Sequence, residues 1–219
     1  LLQENKDPEK IYVTGNTAID ALKTTVKKEY DSPVLQWAGD GRIILLTAHR
    51  RENWGAPLKR IFTAVNRITE QYPDVRVIYP CHMNPAVRGL ADEMFRENNQ
   101  VRVIEPLEVT DFHNLIKKSY LVLTDSGGIQ EEGPSLGKPV LVVRETTERP
   151  EGVEAGTLKL VGTSTDNIVK QVSRLLDDEV EYERMSKAEN PYGDGHASER
   201  IVDAILRYFR NRVPEEISA

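Results

Sequence analysis

An alternation along the chain constrains its fold more than any other feature. Short runs of apolar, largely β-branched residues recur from residue 43 onward, and each is followed by a stretch with helical periodicity. This alternation is typical of a parallel sheet covered by helices. We therefore predict an α/β fold with a doubly wound, six-stranded parallel sheet of the Rossmann-like type. The predicted strands are Ile43–Leu46, Val75–Tyr79, Val101–Ile104, Leu121–Thr124, Val140–Val143 and Thr157–Leu160.

Apolar stripes and capping residues mark the helices. After the first strand, apolar side chains recur with helical spacing until the pattern ends at Tyr72-Pro73. This stripe consists of Leu58, Ile61, Phe62, Val65 and Ile68. Asn84-Pro85 offers an N-cap and a first-turn proline for the next helix. Ahead of the sheet we predict a helix from about Thr17 to Glu29.

The chain also divides into segments. It opens Leu-Leu-Gln-Glu, with neither an initiator Met nor a signal peptide, which we interpret as a start partway through a longer protein. We predict that residues 1–36 are the tail of a preceding domain and a linker, that residues 37–195 are the Rossmann-like domain, and that residues 196–219 form a C-terminal helix.

Composition excludes several function classes. Thirty-five acidic residues against 29 Lys plus Arg give a net charge of −6, which argues against nonspecific binding to nucleic acid or to an anionic membrane surface. No apolar run approaches the roughly 18 residues of a membrane span. Cys81 is the single cysteine, and no CxxC or HExxH pattern indicates a metal site. We therefore expect a cytoplasmic protein without a metal.

The topology predicts where a ligand would bind. Sheets of this kind most often have the strand order 3-2-1-4-5-6, and ligands bind outside the carboxyl ends of the strands where the connections reverse direction. The loops at that position follow Leu46 and Thr124. They read Thr47-Ala48-His49-Arg50-Arg51-Glu52-Asn53 and Asp125-Ser126-Gly127-Gly128.

The second loop predicts a phosphate site. Gly127 and Gly128 have no side chains to keep a ligand from the backbone, and the helix that follows directs free amides toward it. Glu132 lies one turn further on, and its carboxylate leans back toward the helix start, where it can accept hydrogen bonds from ribose hydroxyls. The alternative is a tight turn with a helix cap and no ligand. The chain lacks GxxxxGK[ST], and no GxGxxG follows a strand, which disfavours P-loop NTPases and dinucleotide dehydrogenases.

Charged side chains accompany both loops. His49 ends the first strand, where it can stabilise charge or transfer a proton to a leaving diphosphate, although a packed or solvent-facing histidine is the simpler alternative. Arg149 follows the fifth strand and is a candidate cation for phosphate, or else an ordinary solvated arginine. His82 reads as a loop residue near a helix cap, and Cys81 as a small buried side chain.

These motifs together resemble those of the non-hydrolysing bacterial UDP-N-acetylglucosamine 2-epimerases, over nearly the whole chain. The resemblance implies the C-terminal half of a two-domain fold of the glycosyltransferase-B type, with the active site between the domains. It also implies interconversion of UDP-GlcNAc and UDP-ManNAc without a cofactor, by elimination of UDP to 2-acetamidoglucal and readdition. The motifs are Thr47–Asn53, Asp125–Glu132, Gly137–Val140, Thr146–Glu151, Val13–Thr17 and Asn190–Gly195.

The resemblance assigns roles residue by residue. Arg50 and His82 match positions that contact a second, activating UDP-GlcNAc in some members. The other assignments are His49 as an active-site histidine, Phe112 in the uridine pocket, the amides of Ser126, Gly127 and Gly128 on the phosphates, Glu132 on the ribose, and Arg149 on the substrate.

The same resemblance implies partners and limits. The expected ligands are UDP-GlcNAc, UDP-ManNAc and UDP, the expected full-length protein is a homodimer that serves cell-envelope polysaccharide synthesis, and the last helix is expected to cross back toward an N-terminal domain. That domain would supply the acid and base carboxylates, so the isolated chain should not turn over. Two alternatives stay open: the nucleotide-binding domain of a UDP-sugar-dependent glycosyltransferase, and a non-catalytic nucleotide-sugar sensor.

Overall fold

The computed structural model describes residues 1–210 and contains a six-stranded, all-parallel sheet. Its order is β3-β2-β1-β4-β5-β6, which confirms the predicted fold class and strand order. The strands are β1 Arg42–Thr47, β2 Val75–Pro80, β3 Val101–Ile104, β4 Leu121–Thr124, β5 Val140–Val142 and β6 Leu158–Leu160.

Helices connect and flank these strands, together with three short 3-10 turns at Leu2–Glu4, Pro8–Lys10 and Arg51–Asn53. The helices are α1 Thr17–Thr25, α2 Pro33–Ala38, α3 Ala56–Gln71, α4 Pro85–Phe95, α5 Val109–Lys118, α6 Ile129–Ser135, α7 Pro150–Glu154, α8 Thr165–Asp177, α9 Glu179–Ser186 and α10 Ala197–Arg210. None of the helices within residues 1–210 is long and apolar enough to cross a membrane.

The two faces of the sheet carry separate apolar layers. One layer joins Leu46 and its neighbours to α3, α4 and α8, including the whole predicted stripe from Leu58 to Ile68. The other joins Leu45 and its neighbours to α2, α5 and α6. Because successive side chains of a strand point to opposite faces, β1 must be apolar at every central position, as its sequence is. The sheet is therefore doubly wound.

Strand and helix bounds differ from the predictions at a few ends. β5 ends one residue early, although the Val143 amide still donates to Thr124 O at 2.9 Å, and β6 begins one residue late. The larger error is α1, which ends at Thr25 instead of Glu29. There, Asn114 Nδ2 donates to Thr25 O at 2.8 Å, and Lys27 N donates to Asn114 Oδ1 at 2.9 Å. This tertiary contact replaces the next helical hydrogen bonds.

The chain divides into two compact units. Within the described residues, one unit comprises residues 1–24 and 192–210, and the other comprises residues 25–191. In the smaller unit, the carboxylate of Asp20 caps α10 by accepting hydrogen bonds from Ala197 N at 3.1 Å and Ser198 N at 2.6 Å. The predicted domain boundaries after residues 36 and 195 stay a prediction, and residues 211–219 of the predicted last helix lie outside the described part.

Burial on both faces of β1 predicts the response to truncation. Leu45→Ala and Leu46→Ala should each lower the free energy of unfolding by about 2–5 kcal/mol, because each leaves a cavity in a different apolar layer. Urea unfolding measures both values. Val180→Ala, at an exposed position of α9, should cost less than about 0.5 kcal/mol. A small cost for either leucine would contradict burial of that face.

Candidate functional site

The loops after β1 and β4 meet at one buried carboxylate. Asp125 directly follows β4 and is 0% exposed. Its Oδ2 accepts hydrogen bonds from His49 N at 2.9 Å, Arg50 N at 2.8 Å and Asn53 Nδ2 at 3.0 Å. Adjacent parallel strands bring these loops to the same edge of the sheet, and Asp125 then joins them. We call residues 48–53 and 125–132 the switch-point site.

Two threonines align the glycine loop with the strands beneath it. Thr47 and Thr124 are paired in register, and their Oγ1 atoms lie 2.5 Å apart. Ser126 N donates to Thr124 Oγ1 at 2.9 Å, so the first amide of the loop is already engaged. Within residues 1–210, no acceptor is found for the amides of Gly127 and Gly128. These two N–H groups are the unpaired backbone donors of the loop.

The fold itself does not require glycine at either position. A Cβ added at Gly127 would lie 3.5 Å from Arg50 Nη2, and one at Gly128 would lie 3.6 Å from Glu132 Oε1, which are ordinary contacts. Gly133 is different, because an added Cβ would lie 2.5 Å from Cγ2 of Val140. Gly133 is therefore a packing requirement, whereas Gly127 and Gly128 have room for a methyl group in ordinary contact with Arg50 and Glu132.

His49 has a defined environment on two sides. Its Nδ1 lies 3.7 Å from Asp125 Oδ1, and its ring stacks on His82 with centroids 5.6 Å apart and planes 10° from parallel. The His49 side chain is 42% exposed. His82 also accepts a hydrogen bond at Nδ1 from Asn84 N at 3.1 Å, beside the predicted cap of α4. The sequence interpretation of His82 as a loop residue omitted its contact with His49.

The carboxylate of Glu132 on α6 faces a histidine of the neighbouring helix α5. His113 Nε2 lies 3.6 Å from Glu132 Oε2, and His113 Nδ1 is 2.8 Å from Thr25 Oγ1. His113 is 3% exposed, so the Glu132 carboxylate packs against a buried imidazole. The neighbouring Phe112 is partly buried against the apolar layer that includes α6. No role was predicted for His113 from the sequence, and its position next to Phe112 was the available signal.

Arg149 is already in contact with a carboxylate. Its Nε donates to Glu131 Oε1, and its Nη1 donates to Glu148 O at 3.1 Å. Glu131 is buried on α6, one residue before Glu132. The predicted phosphate cation therefore reaches α6 through an ion pair that orients its guanidinium beside the switch-point site.

Arg144 is a site-supporting residue that sequence reasoning missed. It follows β5 by two residues and is 5% exposed. It donates to Glu52 at 2.6 Å and to both carboxylate oxygens of Glu148 at 2.6 and 3.0 Å. These hydrogen bonds lower the pKa of Glu148 to about 2. A charged residue directly after the buried run Val140–Val143 was the available signal.

Three arginines at the site are paired with carboxylates. Besides the pairs of Arg144 and Arg149, Arg50 Nη1 lies 3.8 Å from Glu148 Oε1. Each of these arginines therefore faces an acidic partner, and the buried Asp125 adds a further negative charge. The site offers directed N–H donors more than net positive charge.

The fold and the site define a Rossmann-like α/β protein whose polar loops converge at the topological switch point. A family model described as UDP-N-acetylglucosamine 2-epimerase matches residues 1–206. The chain belongs to this family.

Individual relatives agree in sequence and in structure. A UDP-N-acetylglucosamine 2-epimerase of Bacillus subtilis is 58% identical over 97% of this chain. The S. aureus MnaA–UDP complex superposes with a TM-score of 0.92 at 54% identity over 99% of this chain. The Neisseria meningitidis UDP-GlcNAc 2-epimerase bound to UDP-GlcNAc gives a TM-score of 0.86 at 44% identity over 94% of this chain.

The match covers only part of each relative. This chain spans 56% of the Bacillus subtilis protein, 59% of the S. aureus chain and 58% of the Neisseria meningitidis chain. It therefore accounts for a little over half the length of these proteins.

The contacts of Arg144 predict a pH-dependent stability difference. Arg144→Gln should lower the free energy of unfolding by about 1–3 kcal/mol at neutral pH, because it removes the hydrogen bonds to two carboxylates. The native pKa of Glu148, about 2, lies below its ordinary value of 4.5. Its stabilisation is therefore complete above pH 4.5 and is lost as pH falls toward 2. The difference between wild type and variant should shrink over that range.

Urea unfolding at a series of pH values measures this difference. Arg67→Gln is the matched control, because Arg67 pairs with Asp166 on the surface, and it should change stability by less than about 0.5 kcal/mol. A cost of Arg144→Gln that stays constant down to about pH 2 would exclude Glu148 as the partner that matters.

Proposed function

We propose that this chain supplies the UDP-binding part of an enzyme that interconverts UDP-GlcNAc and UDP-ManNAc. The observation that carries the proposal is that His49 is anchored by its backbone amide to Asp125, at the start of the loop that carries the unpaired amides of Gly127 and Gly128. Relatives named UDP-N-acetylglucosamine 2-epimerase and structures with UDP and UDP-GlcNAc support the choice of ligand.

The diphosphate belongs over the glycine loop. The amides of Gly127 and Gly128 donate hydrogen bonds to its oxygens. The preceding residue, Ser126, is fixed to the end of β4 by its hydrogen bond to Thr124 Oγ1. Glu132 accepts hydrogen bonds from the ribose hydroxyls, since its Oε1 already lies close to Gly128. Phe112 lines the uracil pocket, and Arg149 contacts the substrate beside α6.

The reaction is an elimination followed by a readdition. A base removes the proton from C2 of the sugar, and the electron pair of that bond forms the C1=C2 double bond. The C1–O bond breaks, and its electron pair leaves with the β-phosphate of UDP. UDP then adds back while C2 is protonated on its other face. No electrons are gained or lost overall, so the chemistry needs no redox cofactor.

His49 serves the leaving group. Charge develops on the β-phosphate oxygen as the C1–O bond breaks, and an imidazole nitrogen of His49 donates to that oxygen. Directed donors of this kind are effective because they require no reorganisation during the reaction.

The remaining parts of the active site belong to the other portion of the full-length protein. Arg50, Arg144 and Arg149 each face a carboxylate, so we infer that further positive charge for a diphosphate comes from the other portion. We assign the acid and base carboxylates to the same place, in an N-terminal domain of a glycosyltransferase-B-type fold toward which the last helix crosses. The isolated chain then binds UDP without turnover. Homodimer formation and a role in cell-envelope polysaccharide synthesis stay predictions.

Arg50 and His82 extend the proposal to a second ligand. His82 stacks on His49, and Arg50 Nη2 lies next to Gly127, so a second UDP-GlcNAc that reached either side chain would adjoin the first. We assign an activating role to such a ligand.

Glycine substitutions test the ligand site on this chain. Wild type should bind UDP with a Kd of about 1 mM or tighter by titration calorimetry. Gly128→Ala should weaken binding by about tenfold or more without loss of stability, because the new methyl group fills the space of the ligand and not of the fold.

Two matched glycine substitutions distinguish a loss of ligand binding from a loss of folding stability. Gly89→Ala lies on α4 with nothing near its added Cβ, so it should stabilise the helix by about 0.5–1 kcal/mol and leave UDP binding unchanged. Gly133→Ala should destabilise the chain through its contact with Val140. Absence of UDP binding to wild type at millimolar ligand would count against the proposed site.

Substitution of His49 tests the chemistry in the full-length protein. His49→Gln should lower kcat by about 10²–10⁴-fold with little change in unfolding temperature, since the side chain is half exposed and acts on the leaving group. NMR follows formation of UDP-ManNAc from UDP-GlcNAc alone in deuterated water. His196→Gln, at an exposed histidine of the other compact unit, is the matched control.

The same assay separates the alternatives. A glycosyltransferase without an acceptor makes no UDP-ManNAc, and a nucleotide-sugar sensor binds UDP-GlcNAc without exchange at C2. An unchanged rate for His49→Gln would refute the role of this histidine.

A further inference from the structure

Asp125 carries one saturated and one unpaired oxygen. Three N–H groups donate to Oδ2, as described above. Oδ1 is equally buried, yet no group within residues 1–210 donates a hydrogen bond to it. Leaving a buried polar atom unpaired costs about 1–3 kcal/mol, and more for a charged group. An oxygen in this state points to a partner that engages during function.

His49 is the group that faces this oxygen. The distance of 3.7 Å from His49 Nδ1 to Asp125 Oδ1 lies about 0.5 Å beyond the upper end of the ordinary hydrogen-bond range of about 2.7–3.2 Å. The backbone amide of His49 is bound to the other oxygen of the same carboxylate. The residue is therefore tethered in place, and a small rotation of its ring closes the gap. Stacking on His82 keeps the ring plane aligned.

We propose that Asp125 is a positioning residue that holds the proton of His49 on Nδ1. This inference rests on the proposed function. The carboxylate accepts from Nδ1–H, and Nε2 is then the nitrogen directed to the leaving diphosphate. When the imidazole is protonated, Nε2–H donates to the leaving oxygen while Asp125 balances the charge. When it is neutral, Nε2 takes up the proton again.

The substitution Asp125→Asn tests the control of the His49 tautomer separately from the structural role of Asp125 in joining the two loops. The amide has nearly the same shape as the carboxylate, and its oxygen must remain toward His49 N, Arg50 N and Asn53 Nδ2, because all three are donors. The NH₂ group then occupies the place of Oδ1. A donor that faces His49 Nδ1 moves the imidazole proton to Nε2, so the geometry is kept and the tautomer is reversed.

Long-range ¹H–¹⁵N NMR of this chain reads the tautomer directly. The spectra are recorded with and without UDP at a pH of about 8.5, well above the ordinary histidine pKa of about 6.5. His49→Gln identifies the His49 signals. We expect Nδ1–H in wild type and Nε2–H in Asp125→Asn. A wild-type chain with its proton on Nε2, or an unchanged tautomer in the variant, would overturn the proposal.

Asn53→Ala is the matched structural control. It removes a donor to Oδ2 and leaves Oδ1 intact, so it should lower stability without changing the tautomer of His49. Reversal of the tautomer in this variant would assign the effect to loop packing and overturn the proposal. Should Asp125→Asn fail to fold, the tautomer of the wild-type chain decides alone.

Kinetics of the full-length protein complete the test. Asp125→Asn should lower kcat by about 10²–10⁴-fold with KM for UDP-GlcNAc changed by less than about threefold. Combination with His49→Gln should lower kcat no further than either change alone. An active enzyme whose kcat survives Asp125→Asn overturns the positioning role. A wild type without epimerase activity overturns the proposed function instead, and the NMR result still decides the pairing of Asp125 with His49.

Discussion

The carboxylate of Asp125 connects the topology of the sheet to the chemistry of its edge. Strand order alone brings the ends of β1 and β4 together, but it leaves two loops free to diverge into solvent. Asp125 prevents this because its Oδ2 accepts hydrogen bonds from the backbone amides of His49 and Arg50. The side-chain amide of Asn53, from the same loop, donates to the same oxygen. A charged group tolerates such burial only when donors surround it. The loops that we propose to contact a diphosphate are therefore joined by one buried acceptor.

The charge balance of the site follows a similar logic. Arg144 bridges Glu52 and Glu148, and thereby ties the loop after β1 to the loop after β5. An arginine with these partners acts as a structural brace, and its charge is already compensated. The planar guanidinium suits this use because it donates to two carboxylates in fixed directions. The proposed phosphate contacts of this region are therefore the backbone amides of the glycine loop more than the charges of these paired arginines.

Periodicity predicted the fold because burial on both faces of a parallel sheet leaves a strong trace in the sequence. The apolar stripe from Leu58 to Ile68 and the strand order both followed from it. Errors arose where one tertiary contact decided the outcome, as when Asn114 ended α1 at Thr25. The roles of Arg144 and His113 were missed for the same reason, since each depends on partners distant in sequence. His82 was predictable in principle, because β2 adjoins β1 and their following loops must also adjoin.

The glycines of the segment Asp125–Gly133 are present for different structural reasons, which cannot be told apart from the sequence. Gly133 packs against Val140 of β5, so a side chain there would separate α6 from the sheet. Gly127 and Gly128 have ordinary negative φ values and room for a methyl group, so neither backbone conformation nor packing explains them. The amides at these same two positions have no acceptor within residues 1–210, and this combination is the basis for proposing them as donors to an anionic group of a ligand. Glu132 is proposed for the same ligand because its Oε1 would lie only 3.6 Å from a Cβ at Gly128.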